Sequence, residues 1–399
     1  MTPSSDSPRK SLGVLFGVVI VDLIGFGIVM PVLPFYAKEL GASATALGVV
    51  LMGYAAAQFV CAPLWGRLSD RVGRRPVLVA TIAGTAVSLL ALGLARSLVA
   101  LVAARFVAGA FAANVGVASA YITDVTDESE RTRWMGMLGA SFGIGFVLGP
   151  AIGGVLAPYG YRVPLLAAAG LAAANWLHAL VSLREPRHEA ARPAGPADAS
   201  VLATRSRALR DPLVRRLCGA NLVFSTAVSQ LETIFAFFML DRFGFDAPHV
   251  AWILVGMAIV MGGVQGGGMK ALSARFDDRT LAVAGSLLLA FSFALLPEMP
   301  GIAWLLVALL VSALGRAVLQ PALMSMTSMA AAARERGSVM GAFQSSASLA
   351  RVVGPLAAGA LYDLARPAPF WLGAALLGAT AVLARGLPQR ATAPAAIGT

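Results

Sequence analysis

One stretch decides the fold: Gly66-Arg-Leu-Ser-Asp70-Arg-Val-Gly73-Arg-Arg-Pro76, between two long apolar segments. It holds four arginines and one aspartate, although only 13% of the chain is charged. Gly73 tolerates the positive φ of a tight turn, and Pro76 suits the first turn of the next helix. Asp70 can cap a helix or pair with an arginine. Residues 66–76 therefore predict a charged hinge between two helices, where a membrane meets water.

The composition of the whole chain is that of a membrane protein. Its 399 residues are 58% hydrophobic with a mean hydropathy of +0.77, whereas soluble domains are about 45–50% apolar and about 25% charged. A helix of about 20 residues crosses a bilayer. We predict an all-α polytopic membrane protein with twelve transmembrane helices in two pseudo-symmetric halves of six. The predicted spans are 12–36, 46–65, 77–95, 98–122, 135–157, 163–183, 214–240, 250–269, 280–297, 301–326, 337–361 and 368–386.

The net charge of +11 reflects topology and does not indicate a nucleic-acid partner. If the N-terminus is cytoplasmic, 23 of the 31 Lys and Arg residues fall on the cytoplasmic side, five on the opposite side and three within spans. Such a bias orients helices during membrane insertion. We therefore expect both termini in the cytoplasm and a lipid bilayer around the protein.

Residues 184–213 separate two halves that repeat each other. This segment has four prolines and no sustained apolar period, which is typical of a cytoplasmic linker. The motif Leu68-Ser-Asp70-Arg71 returns 204 residues later as Leu272-Ser-Ala274-Arg275, and Gly149-Pro150 returns after 205 residues as Gly354-Pro355. We predict a duplicated chain with a first half of residues 1–183 and a second half of residues 214–399.

Away from the ends of the predicted spans lie two carboxyl groups and three arginines. A carboxylate at mid-span costs about 2.5–3.5 kcal/mol on an insertion scale, so it usually faces a cavity and serves function. Asp22 and Glu232 are therefore candidate proton carriers. The alternatives are a structural aspartate bonded to a neighbouring helix and a static ion pair of Glu232. Because a buried unpaired charge is costly, we hypothesise that Arg351 faces Glu232 and that Arg105 approaches Asp22.

The fifth span carries glycines at every fourth position, Gly145, Gly149 and Gly153, followed by Gly154. Small residues at this spacing let helices pack closely in lipid. Pro150 removes a backbone donor and bends the helix. Generic helix packing and a specific functional helix both remain open from this pattern alone.

The predicted spans also contain polar and aromatic residues that suit a cavity for an amphiphilic ligand, although each could serve packing alone. His178, His188 and His249 are too scattered for a metal site, and no phosphate-binding loop or nucleophile triad occurs. We therefore expect no enzyme, no metal and no cofactor. The cavity candidates are Gln58, Asn114, Phe142, Gln230, Phe235, Gln265, Gln320 and Gln344.

These motifs together resemble the tetracycline/proton antiporter family of the major facilitator superfamily. The resemblance covers nearly the whole chain and is strongest from Asp22 to Gly154, including Gly-Pro-x-x-Gly-Gly in the fifth span. It implies that an external proton enters in exchange for an outgoing drug, and that Arg105 helps to pass the proton. It also implies a cytoplasmic latch between the two halves. The latch residues are Gly66, Asp70, Arg71, Gly73, Arg74 and Arg75.

The second half departs from that family. The stretch Met261-Gly-Gly-Val-Gln265 lacks the family's histidine, and 280–297 lacks its aspartate, which disfavours tetracycline as the substrate. The sequence predicts a monomeric, proton-driven antiporter that exports a small amphiphilic organic compound across a bacterial-type inner membrane. A proton symporter for a metabolite and a non-transporting membrane receptor or scaffold are the alternatives.

Overall fold

The computed structural model describes residues 8–186, 209–331 and 336–387, and every regular element in these ranges is a helix. Most of the predicted linker lies outside the described residues. The α-helices are α1 (Pro8–Glu39), α2 (Ala44–Val72), α3 (Arg74–Leu94), α4 (Leu98–Phe111), α5 (Asn114–Val125), α6 (Glu128–Leu156), α7 (Arg162–Ser182), α8 (Pro212–Phe243), α9 (Ala247–Gly263), α10 (Met269–Arg275), α11 (Asp278–Leu295), α12 (Ile302–Ala330), α13 (Arg336–Leu364) and α14 (Ala368–Arg385).

Within the described ranges, 11 helical segments are long and apolar enough to cross a membrane. Two of them are composite: α4 and α5 form the segment Leu98–Val125, and α9, a π-helical turn (Val264–Gly268) and α10 form Ala247–Arg275. The other predicted span, 337–361, forms the 29-residue helix α13, but its serines, Gln344 and Arg351 lower its hydropathy. The all-α, membrane-spanning fold predicted from the sequence is confirmed.

The helices group into two compact units. Unit 1 comprises Met1–Pro193 and Thr233–Ala258, and unit 2 comprises Ala194–Glu232 and Ile259–Thr399. In unit 1 the segment Thr233–Ala258 is tied to α1 by an ion pair of 2.7 Å between Lys38 Nζ and Asp241 Oδ1. The division into residues 1–183, 184–213 and 214–399 stays a prediction.

Unit 1 is built around α1, which packs against α6 and α7, while α2 packs against α4 and α3 against α7. A buried apolar cluster joins α1 and α6 to α3 and α5, and its members include Leu15, Phe16, Leu78, Tyr121 and Leu138. Phe16 also stacks on Trp134 of α6 at 5.5 Å between ring centroids. This core fixes α1 and α5 relative to each other, and both carry predicted site residues.

The glycines of the fifth span pack against α1. A Cβ atom on Gly149 would lie 2.5 Å from the Cα of Gly27, and one on Gly145 would lie 2.6 Å from the Cβ of Leu23. Gly153 meets the carbonyl of Ile28 in the same way, at 2.8 Å. The predicted close-packing face of α6 is confirmed, and its partner is the helix that carries Asp22.

The remaining small residues of α6 extend this packing within unit 1. A Cβ on Gly154 would lie 2.5 Å from the Cβ of Ala251 in α9. Pro150 is buried beside Gly149, with its ring 3.1 Å from where a Cβ on Gly27 would lie. In unit 2, Gly354 of α13 meets Ser229 of α8 with a corresponding distance of 2.9 Å.

Candidate functional site

Asp22 lies midway along α1 and is half-buried. Its Oδ1 accepts a hydrogen bond of 2.9 Å from Nδ2 of Asn114. Asn114 is the first residue of α5 and is only 4% exposed. The structure thus brings together a predicted proton carrier and a predicted cavity residue, and a neutral amide on a neighbouring span donates to Asp22.

A two-residue break in the fourth span sets the position of Asn114. α4 ends before the break and α5 begins after it, so carbonyl groups near the break lose their helical partners. Side chains of α2 bind two of these carbonyls. Trp65 Nε1 donates to Ala110 O at 2.7 Å, and Gln58 Nε2 donates to Ala112 O at 3.0 Å. Gln58, a predicted cavity residue, therefore stabilises the break.

Arg105 lies on α4 and is buried, with 6% exposure. Its guanidinium lies over the ring of Tyr54, 4.2 Å from the centroid, which is a favourable cation–π geometry. The hypothesis that Arg105 approaches Asp22 stays a prediction. In the part of the chain that the structure describes, no ion pair or hydrogen bond joins them, because Asn114 binds the carboxylate and the Tyr54 ring binds the guanidinium.

Four aromatic rings of unit 1 form a continuous cluster beside Arg105. Phe26, one turn after Asp22 on α1, lies 6.0 Å from Tyr54 and 6.4 Å from Phe146 between ring centroids. Phe142 stacks on Phe146 at 6.3 Å. Phe142 is a predicted cavity residue, whereas Phe26 and Phe146 are not among the predicted ones. The one-turn spacing of 142 and 146 is a sequence signal that could have indicated Phe146. An apolar, polarisable surface thus lies next to a fixed positive charge.

Glu232 lies on α8 in unit 2, and its Oε1 is 2.7 Å from Nη1 of Arg316 on α12. The hypothesis that Glu232 faces Arg351 is therefore corrected. Arg351 is exposed and donates from Nη2 to Ser348 Oγ on its own helix at 3.2 Å.

The hinge between α2 and α3 is held together by Arg74. Its Nη1 lies 2.5 Å from Asp70 Oδ1 and also donates to Ser69 Oγ at 2.7 Å, while its Nε donates to Asp124 Oδ2 at 2.7 Å. Asp124 ends the fourth span, so Arg74 links α2, α3 and α5. Arg71, in contrast, is exposed. These contacts lie within unit 1, and the latch between the two halves stays a prediction.

Glu185 caps the first turn of α3, which sequence reasoning missed. Its two carboxylate oxygens accept the backbone amides of Arg74 and Arg75 at 2.6 and 2.9 Å, a favourable place for a negative charge at a helix N-terminus. Gly73 has a φ of 101°, which confirms the predicted turn. A Cβ there would lie 2.7 Å from Glu185 Oε1, so the close approach also favours glycine.

The remaining hinge residues bind backbone carbonyls, and the counterpart of the hinge in unit 2 has different contacts. Gly66 accepts a hydrogen bond of 2.7 Å from Ser69 Oγ at its carbonyl, and Arg75 Nε donates to Leu183 O at 2.7 Å. In unit 2 the counterpart of the hinge has no such arginine cluster. There Asp277 caps α11, and Asp278 Oδ2 accepts from Ser325 Oγ of α12 at 2.7 Å.

The other cavity candidates are dispersed. Phe235 is buried in unit 1. In unit 2, Gln230 is buried and its Oε1 has no hydrogen-bond partner within the described ranges. The other three are exposed: Gln265 in the π-helical turn, Gln320 on α12 and Gln344 on α13.

A sequence-family model described as Major Facilitator Superfamily matches residues 15–271 and 243–397. The chain belongs to the Major Facilitator Superfamily. It is thus a member of a transporter family rather than an enzyme family. The predicted resemblance is confirmed by similarity to a tetracycline resistance protein, class C, of Escherichia coli, which is 31% identical over 394 residues, covering 96% of this chain and 99% of that protein.

Two further comparisons widen the set of relatives of this major facilitator protein. Multidrug resistance protein 1 of Bacillus subtilis (strain 168) is 29% identical over 383 residues, which cover 94% of each chain. The crystal structure of the human organic anion transporter MFSD10 (TETRAN) has a TM-score of 0.70 and 26% identity, covering 96% of this chain and 100% of that chain. The similarity therefore extends over nearly the full length of the chain.

Proposed function

We propose that this major facilitator protein is a proton-coupled antiporter that exports a small amphiphilic organic compound by alternating access. It works as a monomer in a bacterial-type inner membrane, with both termini in the cytoplasm. The proton gradient drives it, so it needs no cofactor. The names of two relatives, one for tetracycline resistance and one for multidrug resistance, support export of a drug-like compound.

The observation that carries this proposal is the environment of Asp22. Its carboxyl group lies in the middle of an apolar helix, and its recorded hydrogen-bond donor is the neutral amide of Asn114. A cation in that place would hold the carboxylate permanently ionised, whereas an amide leaves the group free to gain and lose a proton. An ionisable group inside a membrane span is by default a functional one.

The aromatic cluster of unit 1 supports an amphiphilic cargo. Phe26 connects it directly to the helix that carries Asp22, and Arg105 keeps a positive charge at its edge. Ligand sites of this kind combine an apolar, aromatic lining with few polar anchors. Glu232 has a smaller role in this proposal, because its ion pair with Arg316 favours a static, structural carboxylate.

Proton release from inside-out membrane vesicles tests the proposal. The vesicle lumen is acidified by respiration, a pH-sensitive dye reports the lumen, and a drug panel that includes tetracycline is added outside. An antiporter takes the compound in and lets protons out, so at least one compound is expected to raise the luminal pH in vesicles with this protein. Vesicles with Asp22→Asn are the matched control, and no release is expected from them.

Two outcomes would contradict antiport. Absence of release with every compound, together with proton-linked uptake of a metabolite into right-side-out vesicles, would establish a symporter. If Asp22→Asn kept the full activity of the wild type in every assay, a receptor or scaffold that does not use its membrane-embedded charge would be favoured.

A further inference from the structure

Only one of the two polar groups of the Asn114 side-chain amide forms a hydrogen bond within the described ranges. Its Nδ2 donates to Asp22, while its Oδ1 is buried and has no hydrogen-bond partner within the described ranges. A side-chain amide has two N–H donors and an oxygen acceptor. Leaving a buried acceptor unused is unfavourable. The oxygen is thus available to accept a hydrogen bond in a second state of the site.

Asp22 can supply that partner. An ionised carboxylate only accepts hydrogen bonds, but a protonated carboxyl group gains an O–H donor. If the amide of Asn114 turns over about its last rotatable bond, its oxygen takes the place of its nitrogen and can accept from this O–H. An arginine or lysine has no acceptor and could serve the ionised form alone.

We infer that Asn114 is a positioning residue that hydrogen-bonds Asp22 in both of its protonation states, and that the break in the fourth span holds it there. This inference rests on the proposed function, in which Asp22 takes up and releases a proton. It adds a second residue to the proton-coupling site and assigns the break in the fourth span the role of positioning that residue.

The contacts around the break show that α2 holds it in place. Two side chains of α2, Trp65 and Gln58, bind carbonyls at the break. α4 also approaches α2 closely just before it, since a Cβ on Gly109 would collide with the carbonyl oxygen of Tyr54. Discontinuous spans of this kind line binding sites in many transporters. α2 thus fixes where α5 begins and therefore where the amide of Asn114 lies.

Unit 1 offers a matched control in Asn175 of α7. Its Nδ2 donates to the carbonyl of Val18 on α1 at 2.9 Å, its Oδ1 also has no partner within the described ranges, and it is 4% exposed. Asn114 and Asn175 are thus equally buried amides bonded to the same helix, one turn apart. Only Asn114 touches the carboxyl group.

Infrared difference spectroscopy of the purified protein between high and low pH tests the inference without any substrate. The carbonyl stretch of protonated Asp22 is identified as the band that Asp22→Asn removes. Asn114→Leu is expected to move this band to higher wavenumber, because the carboxyl group loses its hydrogen-bond partner. Asn175→Leu is expected to leave the band in place, and Asn114→Gln, which keeps an amide, is expected to shift it less than Asn114→Leu.

A wild-type spectrum without such a band would refute the proton-carrier role of Asp22 and this inference with it. A band that is present but does not move in Asn114→Leu, or that moves equally in Asn175→Leu, would refute the inference alone. If the leucine variants fail to fold, Asn114→Ala and Asn175→Ala provide the same comparison.

Proton release from inside-out vesicles gives a second readout of the same pair. With a compound that is active on the wild type, Asn114→Leu is expected to lower release roughly tenfold or more, the factor for losing a hydrogen bond to a charged group. Asn175→Leu at matched protein level is expected to retain most of the release. An equal loss in both variants would show that Asn114 is only a packing residue.

Discussion

The two carboxyl groups within the spans, Asp22 in α1 and Glu232 in α8, have opposite kinds of partner. Asp22 accepts from the amide of Asn114 at 2.9 Å, whereas Glu232 forms an ion pair of 2.7 Å with Arg316. Protonation of Asp22 leaves no cation without its counter-charge. Protonation of Glu232 would leave the guanidinium of Arg316 without its counter-charge.

This difference separates a group suited to proton exchange from a group suited to holding two helices together. Both residues satisfy the same sequence criterion, a carboxylate in an apolar span. The partner decides between them, and the partner comes from a different helix in each case: α5 for Asp22 and α12 for Glu232.

Each helix that carries one of these carboxyl groups packs against a glycine of another helix. The two glycines differ in how well they would tolerate a side chain. Gly149→Ala is expected to have the largest effect on stability, about 3 kcal/mol, because its new Cβ would meet the backbone of α1 at 2.5 Å and neither helix can yield easily. Gly354→Ala should cost less, since its nearest contact is the side chain of Ser229 at 2.9 Å. Thermal unfolding in detergent, followed by tryptophan fluorescence, measures both.

Gly143→Ala in the same helix is the control for this pair, because nothing lies within 4 Å of its added Cβ. It should be as stable as the wild type or up to about 1 kcal/mol more stable, because alanine is the better helix former. If Gly149→Ala were as stable as Gly143→Ala, the close crossing of α1 and α6 would be incorrect.

The two hinge copies provide the next contrast. Arg74→Ala is expected to lower stability by about 2 kcal/mol, because it removes hydrogen bonds to Asp70 and Asp124 and leaves these carboxylates facing each other. Asp278→Asn in the second copy should cost less than about 1 kcal/mol, since the amide oxygen can still accept from Ser325. Chemical denaturation of both variants in detergent makes the comparison, and equal losses would contradict the asymmetry.

The smallest expected effect concerns the ion pair of Glu232. The two side chains are 40% and 31% exposed, so their coupling should be about 1 kcal/mol or less. A double-mutant cycle with Glu232→Gln and Arg316→Gln measures it by thermal unfolding. The same cycle with Arg351→Gln should give no coupling. If Glu232 coupled more strongly to Arg351 than to Arg316, the ion pair of Glu232 would be with Arg351.

Local features of the site could be predicted from the sequence. The positive φ of Gly73 follows from one glycine in a charged turn, and the close-packing face of α6 follows from a period of four residues on one helix. Such features depend on a single segment and its backbone. The Gly-Pro motif that recurs after 205 residues lies at a close helix contact in each unit, Gly149 on α1 and Gly354 on α8.

Contacts between helices could not be predicted in this way. Arg316 and Arg351 are both arginines in apolar spans, and only the rotation of each helix decides which one meets Glu232. The break in the fourth span has neither glycine nor proline at 112–113; side chains of α2 stabilise it by binding the freed carbonyls. A feature that depends on a neighbouring helix leaves no local pattern in its own sequence.

The role of Asp22 as the proton carrier is tested by proton release from inside-out vesicles with Asp22→Asn or Glu232→Gln, at matched protein level and with a compound active on the wild type. Asp22→Asn is expected to release no protons. Glu232→Gln should release them within about fivefold of the wild type, as expected for loss of a partly exposed ion pair. Wild-type release by Asp22→Asn, or loss confined to Glu232→Gln, would contradict the assignment of Asp22 as the proton carrier.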